Sequence, residues 1–91
     1  MIILDLVLKA HWYELIKSGE KQSEYREVKP YWTKRLFSKA YTHVRFRRGY
    51  TKEAIIFEIV CIELSGEAND LKIPEVYAIR IGARMEDKIN G

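Results

Sequence analysis

Residues 18–32 read SGEKQSEYREVKPYW. Within them Gly19, Lys21, Glu24 and Arg26 spell G-x-K-x-x-E-x-R, and the aromatic doublet Tyr31–Trp32 closes the stretch. Residues 22–28, QSEYREV, alternate as a strand does, so Glu24 and Arg26 point to one side with Cα atoms about 6.5–7 Å apart. Lys21, at the strand's entry, is free to reach over the same face. Upstream, residues 11–18, HWYELIKS, change period. Trp12, Leu15 and Ile16 stand at i, i+3 and i+4, which predicts a short helix with one apolar face. Gly19 follows where a helix C-cap glycine belongs, because glycine takes a left-handed conformation at no steric cost. Downstream, Pro30 suits the first turn of a second helix, where its missing N–H costs nothing. The run PYWTKRLFSKA then sets Trp32 and Leu36 one turn apart, with Phe37 beside them.

The three charges admit two readings. Opposite charges at i and i+2 on a strand can simply pair in solvent, a contact that contributes about 0–1 kcal/mol. In a concave site the same set has a different use. A lysine supplies a mobile positive charge, an arginine a planar fork for phosphate or carboxylate, and a glutamate an acceptor for base or sugar donors. Glu24 could also hold Lys21 in place or take a proton in acid–base work.

Outward from this stretch the chain continues in strands. Residues 2–9, IILDLVLK, form an apolar run of strand length closed by Lys9. In residues 42–48, THVRFRR, Thr42, Val44 and Phe46 share one side, and His43, Arg45 and Arg47 the other. RRGY, residues 47–50, signals a turn at Gly49. Residues 54–64, AIIFEIVCIEL, are the clearest strand, with Ile55, Phe57, Ile59 and Cys61 expected on one apolar face. Residues 65–75, SGEANDLKIPE, carry turn residues throughout and read as a loop. In residues 76–81, VYAIRI, Tyr77, Ile79 and Ile81 are expected inward and Arg80 outward, and the tail from residue 83 to 91 is expected to fray. About five strands with two short helices, in a chain this small, predict an α+β fold whose sheet curls into a small barrel, since closure leaves no long unpaired edge.

Composition narrows the classes. Ninety-one residues favour a single domain over residues 1–91 with a thin stability margin. A hydrophobic fraction of 47% with charges of both signs interspersed excludes disorder. The net charge of +3 is compatible with an anionic partner without demanding one. A single cysteine, Cys61, rules out an intrachain disulfide and a cysteine zinc site, and its apolar setting predicts a buried thiol. Two histidines, His11 and His43, are too few for a histidine-rich metal site. No metal or cofactor is expected. The start MIILDLVLKA is too short for a membrane span and has neither a basic n-region nor a small-residue cleavage site, so a soluble cytoplasmic protein with no membrane partner is expected.

A second constellation is Arg45, Arg47 and Arg48 with Tyr50. Arginines interleaved with aromatics suit single-stranded nucleic acid, because bases stack on rings while cations track phosphates. A solvated strand face ending in a turn gives the same pattern. Further lysines and arginines near both helices are diluted by Glu14, Glu20, Glu24 and Glu27, which is not the clean patch of a purely electrostatic binder. Of the doublet Trp12–Tyr13, Trp12 is expected in the core; Trp32 is open between core and pocket edge. No Walker loop, dinucleotide glycine fingerprint, H-E-x-x-H or G-x-S-x-G elbow is present.

The string LKAHWYELIKSGEKQSEYREVKPYW, residues 8–32, resembles the ASCH domain family, whose hallmark is the G-x-K-x-x-E-x-R seen in Gly19, Lys21, Glu24 and Arg26. VRFRRGY and the closing strand VYAIRIG extend the resemblance to the small single-domain phage and bacterial branch, over roughly residues 4–50 and 76–82. The resemblance implies a PUA-like mixed β-barrel of five to six strands. It also implies a cleft, lined by the motif and the first helix, that takes RNA or a nucleotide-like ligand. Lys9, Lys21, Glu24, Arg26, Trp32, Arg45, Arg47 and Tyr50 are the residues expected to contact it. Some relatives are enzymes. One branch deacetylates acetylated cytidine with a lysine at the position of Lys21, a threonine three residues later and a distant glutamate; another relative cleaves RNA. Here the threonine position carries Glu24, and the sequence places no second carboxylate. If the chain is a hydrolase on a modified nucleoside or on RNA, Lys21 and Glu24 are its catalytic candidates. A protein-interaction domain using the same cleft for an acidic peptide is the third reading.

Overall fold

The computed structural model describes residues 1–85. Seven elements follow in the order β1 (Ile3–Leu8), α1 (Ala10–Ser18), β2 (Ser23–Glu27), α2 (Pro30–Phe37), β3 (His43–Arg48), β4 (Ala54–Ser65) and β5 (Val76–Arg84). The strands form one mixed sheet in the order β1-β3-β4-β5-β2. β3, β4 and β5 make an antiparallel meander, β1 adds to β3 in parallel, and β2 adds to β5 antiparallel. The α+β class, the five strands and the two short helices are as expected, and the sheet curls into a half-barrel. Its two end strands, β1 and β2, are the strands that flank α1 in the chain.

The core follows from alternation. Leu4, Leu6 and Leu8 of β1 face Val44 and Phe46 of β3 and Ile55 and Phe57 of β4, all buried. Tyr13 and Ile16 of α1 and Leu36 of α2 close the same cluster. Gly19, at φ 88°, ends α1 in the left-handed region and donates its N–H to Ile16 O. There a side chain would be strained, so the reading of Gly19 as C-cap is met. Pro30 opens α2. Helix α2 is tied to two strands of the sheet. Arg35 Nη2 donates to the Asp5 carbonyl oxygen of β1 at 2.6 Å, and Thr33 and Tyr77 of β5 share a hydroxyl–hydroxyl hydrogen bond at 2.5 Å.

Four expectations are corrected. Tyr13, not Trp12, is the core member of its doublet: Tyr13 is fully buried, whereas Trp12 is half-buried against the edge of the core. Burial, together with the neighbouring Glu53, pushes the Tyr13 hydroxyl up to about 12. The β4 face is not apolar-buried throughout. Register shifts between Phe57 and Ile59 and between Ile59 and Cys61 interrupt its pairing with β5, so Ile59 and Cys61 are only half-buried and the thiol is not sequestered. Ile81 is likewise half-buried, while Val76 and Ala78 are buried together with Tyr77 and Ile79. Finally, β5 continues through Arg84, so the chain is paired beyond residue 81; residues 86–91 of the expected fraying tail lie outside the described residues.

Leu36 is the one fully buried side chain of α2. Leu36→Ala is expected to lower unfolding free energy by about 2–4 kcal/mol in a urea titration, and Phe37→Ala, at a half-exposed position, by less than half as much.

Candidate functional site

A cleft of about 380 Å³ opens where the two end strands approach each other. One wall is the end of β1 with Val7, Leu8 and Lys9, continued by Trp12 of α1. The other is β2 with Glu24, Tyr25 and Arg26, and the loop of residues 66–75 adds Asp70 and Leu71. The volume lies within the range of small-molecule sites.

The motif is assembled by local rules. The Gly19 turn carries the chain back, and Lys21 N–H donates to Leu15 O at 3.1 Å, fixing the residue at the mouth of β2. Strand alternation puts Glu24 and Arg26 on one face, as the sequence implies, and their side chains meet at 3.0 Å (Arg26 Nη2 to Glu24 Oε2). Lys21 Nζ reaches Glu24 Oε1 at 3.3 Å from the opposite side. Glu24 is therefore clamped between two cations, and at 6% exposure it is the buried charged residue of the described chain.

Lys21 is itself enclosed. It pairs with Asp70 as well as Glu24, and its ammonium lies 4.6 Å from the Tyr25 ring centroid and 5.6 Å from that of Trp12. Arg26 is backed by the Trp32 ring at 4.9 Å, which holds the guanidinium plane in place. One edge of that guanidinium is unspent: Arg26 Nε is buried with no hydrogen-bond partner. Lys9 makes no ion pair among the described residues and stands exposed on the rim.

Burial decides the electrostatics. It pushes the Glu24 carboxyl above the usual carboxylate range, outweighing the downward pull of Arg26 and Lys21. It also lowers Arg26, against the support of Glu24. Glu67 behaves oppositely at the loop's anchor. Hydrogen bonds from Arg80, Tyr25 and Ser65 bring it down to about 2. Tyr25 donates to Glu67 at 2.7 Å, and Arg80 reaches it through two N–H groups, so the loop is fastened to the ring under Lys21.

Of the sequence candidates, Lys9, Glu24 and Arg26 line the cleft, Lys21 stands behind its wall, paired with Glu24 and lining an adjoining hollow, and Trp32 supports Arg26. Arg45, Arg47 and Tyr50 are not among its lining residues. Arg45 and Arg47 both bind the Asp5 carboxylate at 3.1 Å across the parallel β1–β3 pair, Arg48 pairs with Glu14 at 3.1 Å, and Tyr50 stands at 97% exposure in the turn after β3. Sequence reasoning missed Tyr25, Asp70 and Leu71, and placed Trp12 in the core rather than at the cleft. Trp12 carried a signal, standing three residues beyond the strand-closing Lys9; Asp70 carried none. Among the described residues, no group of three or more His, Cys, Asp or Glu side chains is placed to hold a metal, and no helix is long and apolar enough to cross a membrane.

No family model, curated protein or solved structure matches the chain.

The two carboxyls are expected to titrate in opposite directions. Carbon-detected NMR should place the Glu24 midpoint above 4.5 and that of Glu67 near 2. The signs follow by linkage. The raised Glu24 contributes stability below 4.5 that is lost as pH climbs through its folded value. The depressed Glu67 contributes stability above 4.5 that is lost as pH falls toward 2. Thermal unfolding of wild type and Glu67→Gln should therefore diverge above pH 4.5 and converge near pH 2, with the gap narrowed by salt.

Proposed function

We propose that the chain is an RNA- or nucleotide-binding module of the ASCH kind, and that the cleft between β1 and β2 takes one nucleotide, free or as a unit of an RNA strand. The observation that carries this reading is the buried Arg26 Nε without a hydrogen-bond partner, on a side chain that lines the cleft. A buried donor without a partner is costly, and a phosphate oxygen satisfies it with a charge-assisted bond. Across the cleft, Lys9 supplies a cation with no ion pair among the described residues, at the start of α1, whose N-terminus has no side-chain cap. Trp12 and Tyr25 supply aromatic surface for a base, and Glu24 an acceptor held by two cations. The resemblance of residues 19–26 to the ASCH hallmark points the same way. Arg45, Arg47 and Tyr50 are assigned no contact with this nucleotide, since Asp5 already holds both arginines.

A hydrolase is the second reading, and one observation favours it. The structure supplies a second carboxylate at Lys21, that of Asp70, beside a Glu24 whose carboxyl is raised. A lysine between two carboxyls is the kind of set that moves protons on and off a nucleoside acyl group.

Binding of the four nucleoside 5′-monophosphates and of short single-stranded RNA, followed by the fluorescence of Trp12 and Trp32, tests the first reading. Affinity should fall as salt rises, with a log–log slope of about −0.7 per phosphate contacted. Lys9→Ala, at an exposed position, should weaken binding about three- to tenfold with the melting temperature unchanged. Binding of neither class at low salt would sink the proposal. For the second reading, acylated nucleosides and short RNA are incubated with wild type and Lys21→Gln. Product formed by the wild type alone supports it, and no product from either removes it.

A further inference from the structure

Asp70, paired with Lys21, has space on both sides. Beyond it lies an adjoining cleft of about 420 Å³, lined by Leu15, Glu20, Lys21, Gln22 and Ser23, and sharing Tyr25 and Asp70 with the first. Asp70, with Tyr25, thus borders both hollows, and Lys21 faces the second. The Asp70 carboxylate comes from a loop built to present it. Asn69 accepts from Leu71 N–H at 3.0 Å and donates to the Glu67 and Ile73 carbonyls, each at 2.9 Å, and Glu67 is fastened by Tyr25 and Arg80. Lys72, at φ 56°, turns the chain just after Asp70 and Leu71. Asp70 is therefore held over Lys21 by the folded loop rather than by a chance surface contact.

This fixes a charge balance. Lys21, the cation nearest the centre, is neutralised by Glu24 and Asp70. The charges left to a ligand in the first cleft are those of Arg26, itself shared with Glu24, and Lys9. A ligand extending past Lys21 meets Asp70 and then Glu20. We propose that Asp70 restricts the cleft to ligands that present a single phosphate, a nucleoside monophosphate or one phosphodiester of a strand, and excludes the polyphosphate tail of nucleoside di- and triphosphates. This rests on the nucleotide-binding reading above. One phosphate is matched by the Arg26 and Lys9 end. A second or third adds negative charge within a few ångströms of a carboxylate whose own counter-ion is already shared, where screening by salt is incomplete.

The test is a ratio. Affinities for the four nucleoside 5′-monophosphates, for the matching triphosphates in EDTA and for the matching ribo-tetranucleotides are measured on wild type, Asp70→Asn and Asp70→Glu. Wild type should bind the best monophosphate at least about threefold tighter than its triphosphate, although the triphosphate carries more charge. Asp70→Asn keeps the side chain's shape and removes its charge, and should raise triphosphate affinity about tenfold and monophosphate affinity no more than about threefold, narrowing the preference at least about threefold. Asp70→Glu should keep the wild-type order. A tetranucleotide that binds more tightly than the monophosphate identifies the strand as the source of the phosphate, and the reverse identifies the free nucleotide. An unchanged ratio in Asp70→Asn overturns the inference while leaving nucleotide binding intact. A ratio shifted equally in Asp70→Glu makes Asp70 a loop-shaping residue and also overturns it. If no nucleotide binds any of the three proteins, the underlying reading fails and the inference with it.

Discussion

A carboxylate buried between two cations governs this protein. Taking Glu24 out of water costs several kcal/mol, and Lys21 and Arg26, closing on it from opposite sides, offset that cost only in part. The geometry leaves little freedom. Arg26 reaches Glu24 because strand alternation puts i and i+2 on one face. Lys21 reaches it because the left-handed turn at Gly19 sends the chain back toward β2, which begins two residues after Lys21. The spacing of the motif is thus first a condition for burying Glu24. Removing either partner leaves a buried charge half-paired, at about 3–5 kcal/mol, a large part of a small domain's margin. The two readings of the charges, mutual pairing and lining a cleft, are accordingly not rivals. The pairing is what holds the cleft wall in shape.

The aromatic residues extend that clamp. Tyr25 and Trp12 flank Lys21, and Trp32 backs Arg26, so each cation has a ring beside it as well as a carboxylate. Long basic side chains lose rotamer freedom when fixed, and packing against flat rings limits what remains to be lost on binding. The same arrangement links distant parts of the chain. Tyr25 is hydrogen-bonded to Glu67, Glu67 to Arg80 of β5, and the loop so fastened returns Asp70 to Lys21. A site made from a turn, an edge strand and a loop some 49 residues away in sequence becomes one closed set of contacts.

What could be read from the sequence followed the range of the forces involved. Period-two alternation in QSEYREV and the cap at Gly19 are local, and they placed Glu24, Arg26 and Lys21 correctly. The choice within Trp12–Tyr13 is not local. Adjacent helical positions diverge by about 100°, and which ring turns inward depends on the tilt of α1 against β1 and β3, so the larger apolar ring was the wrong guide. β4 failed for a related reason. Its apolar alternation is real, but two register shifts against β5 rotate Ile59 and Cys61 partly out of the core, and such shifts leave no mark in composition. Asp70 was hidden in a run of turn residues that reads as connector. Only the fold shows that the run is organised around the Asn69 side chain and aimed at Lys21.

The arginine-rich strand makes the same point about charge. Arg45 lies opposite Asp5 in the parallel β1–β3 register, and Arg47 reaches the same carboxylate from one position further along the face. A parallel pair at the end of a sheet has weaker support than a central antiparallel one. A carboxylate bridged by two arginines, with its backbone carbonyl taken by Arg35 of α2, locks that end strand to both of its neighbours. These cations are therefore committed to holding β1, which forms one wall of the cleft. The net charge of +3 is distributed so that most of its arginines have carboxylate partners. Within the cleft, attraction for an anion depends on Lys9 on the β1 wall and Arg26 on the facing wall of the motif.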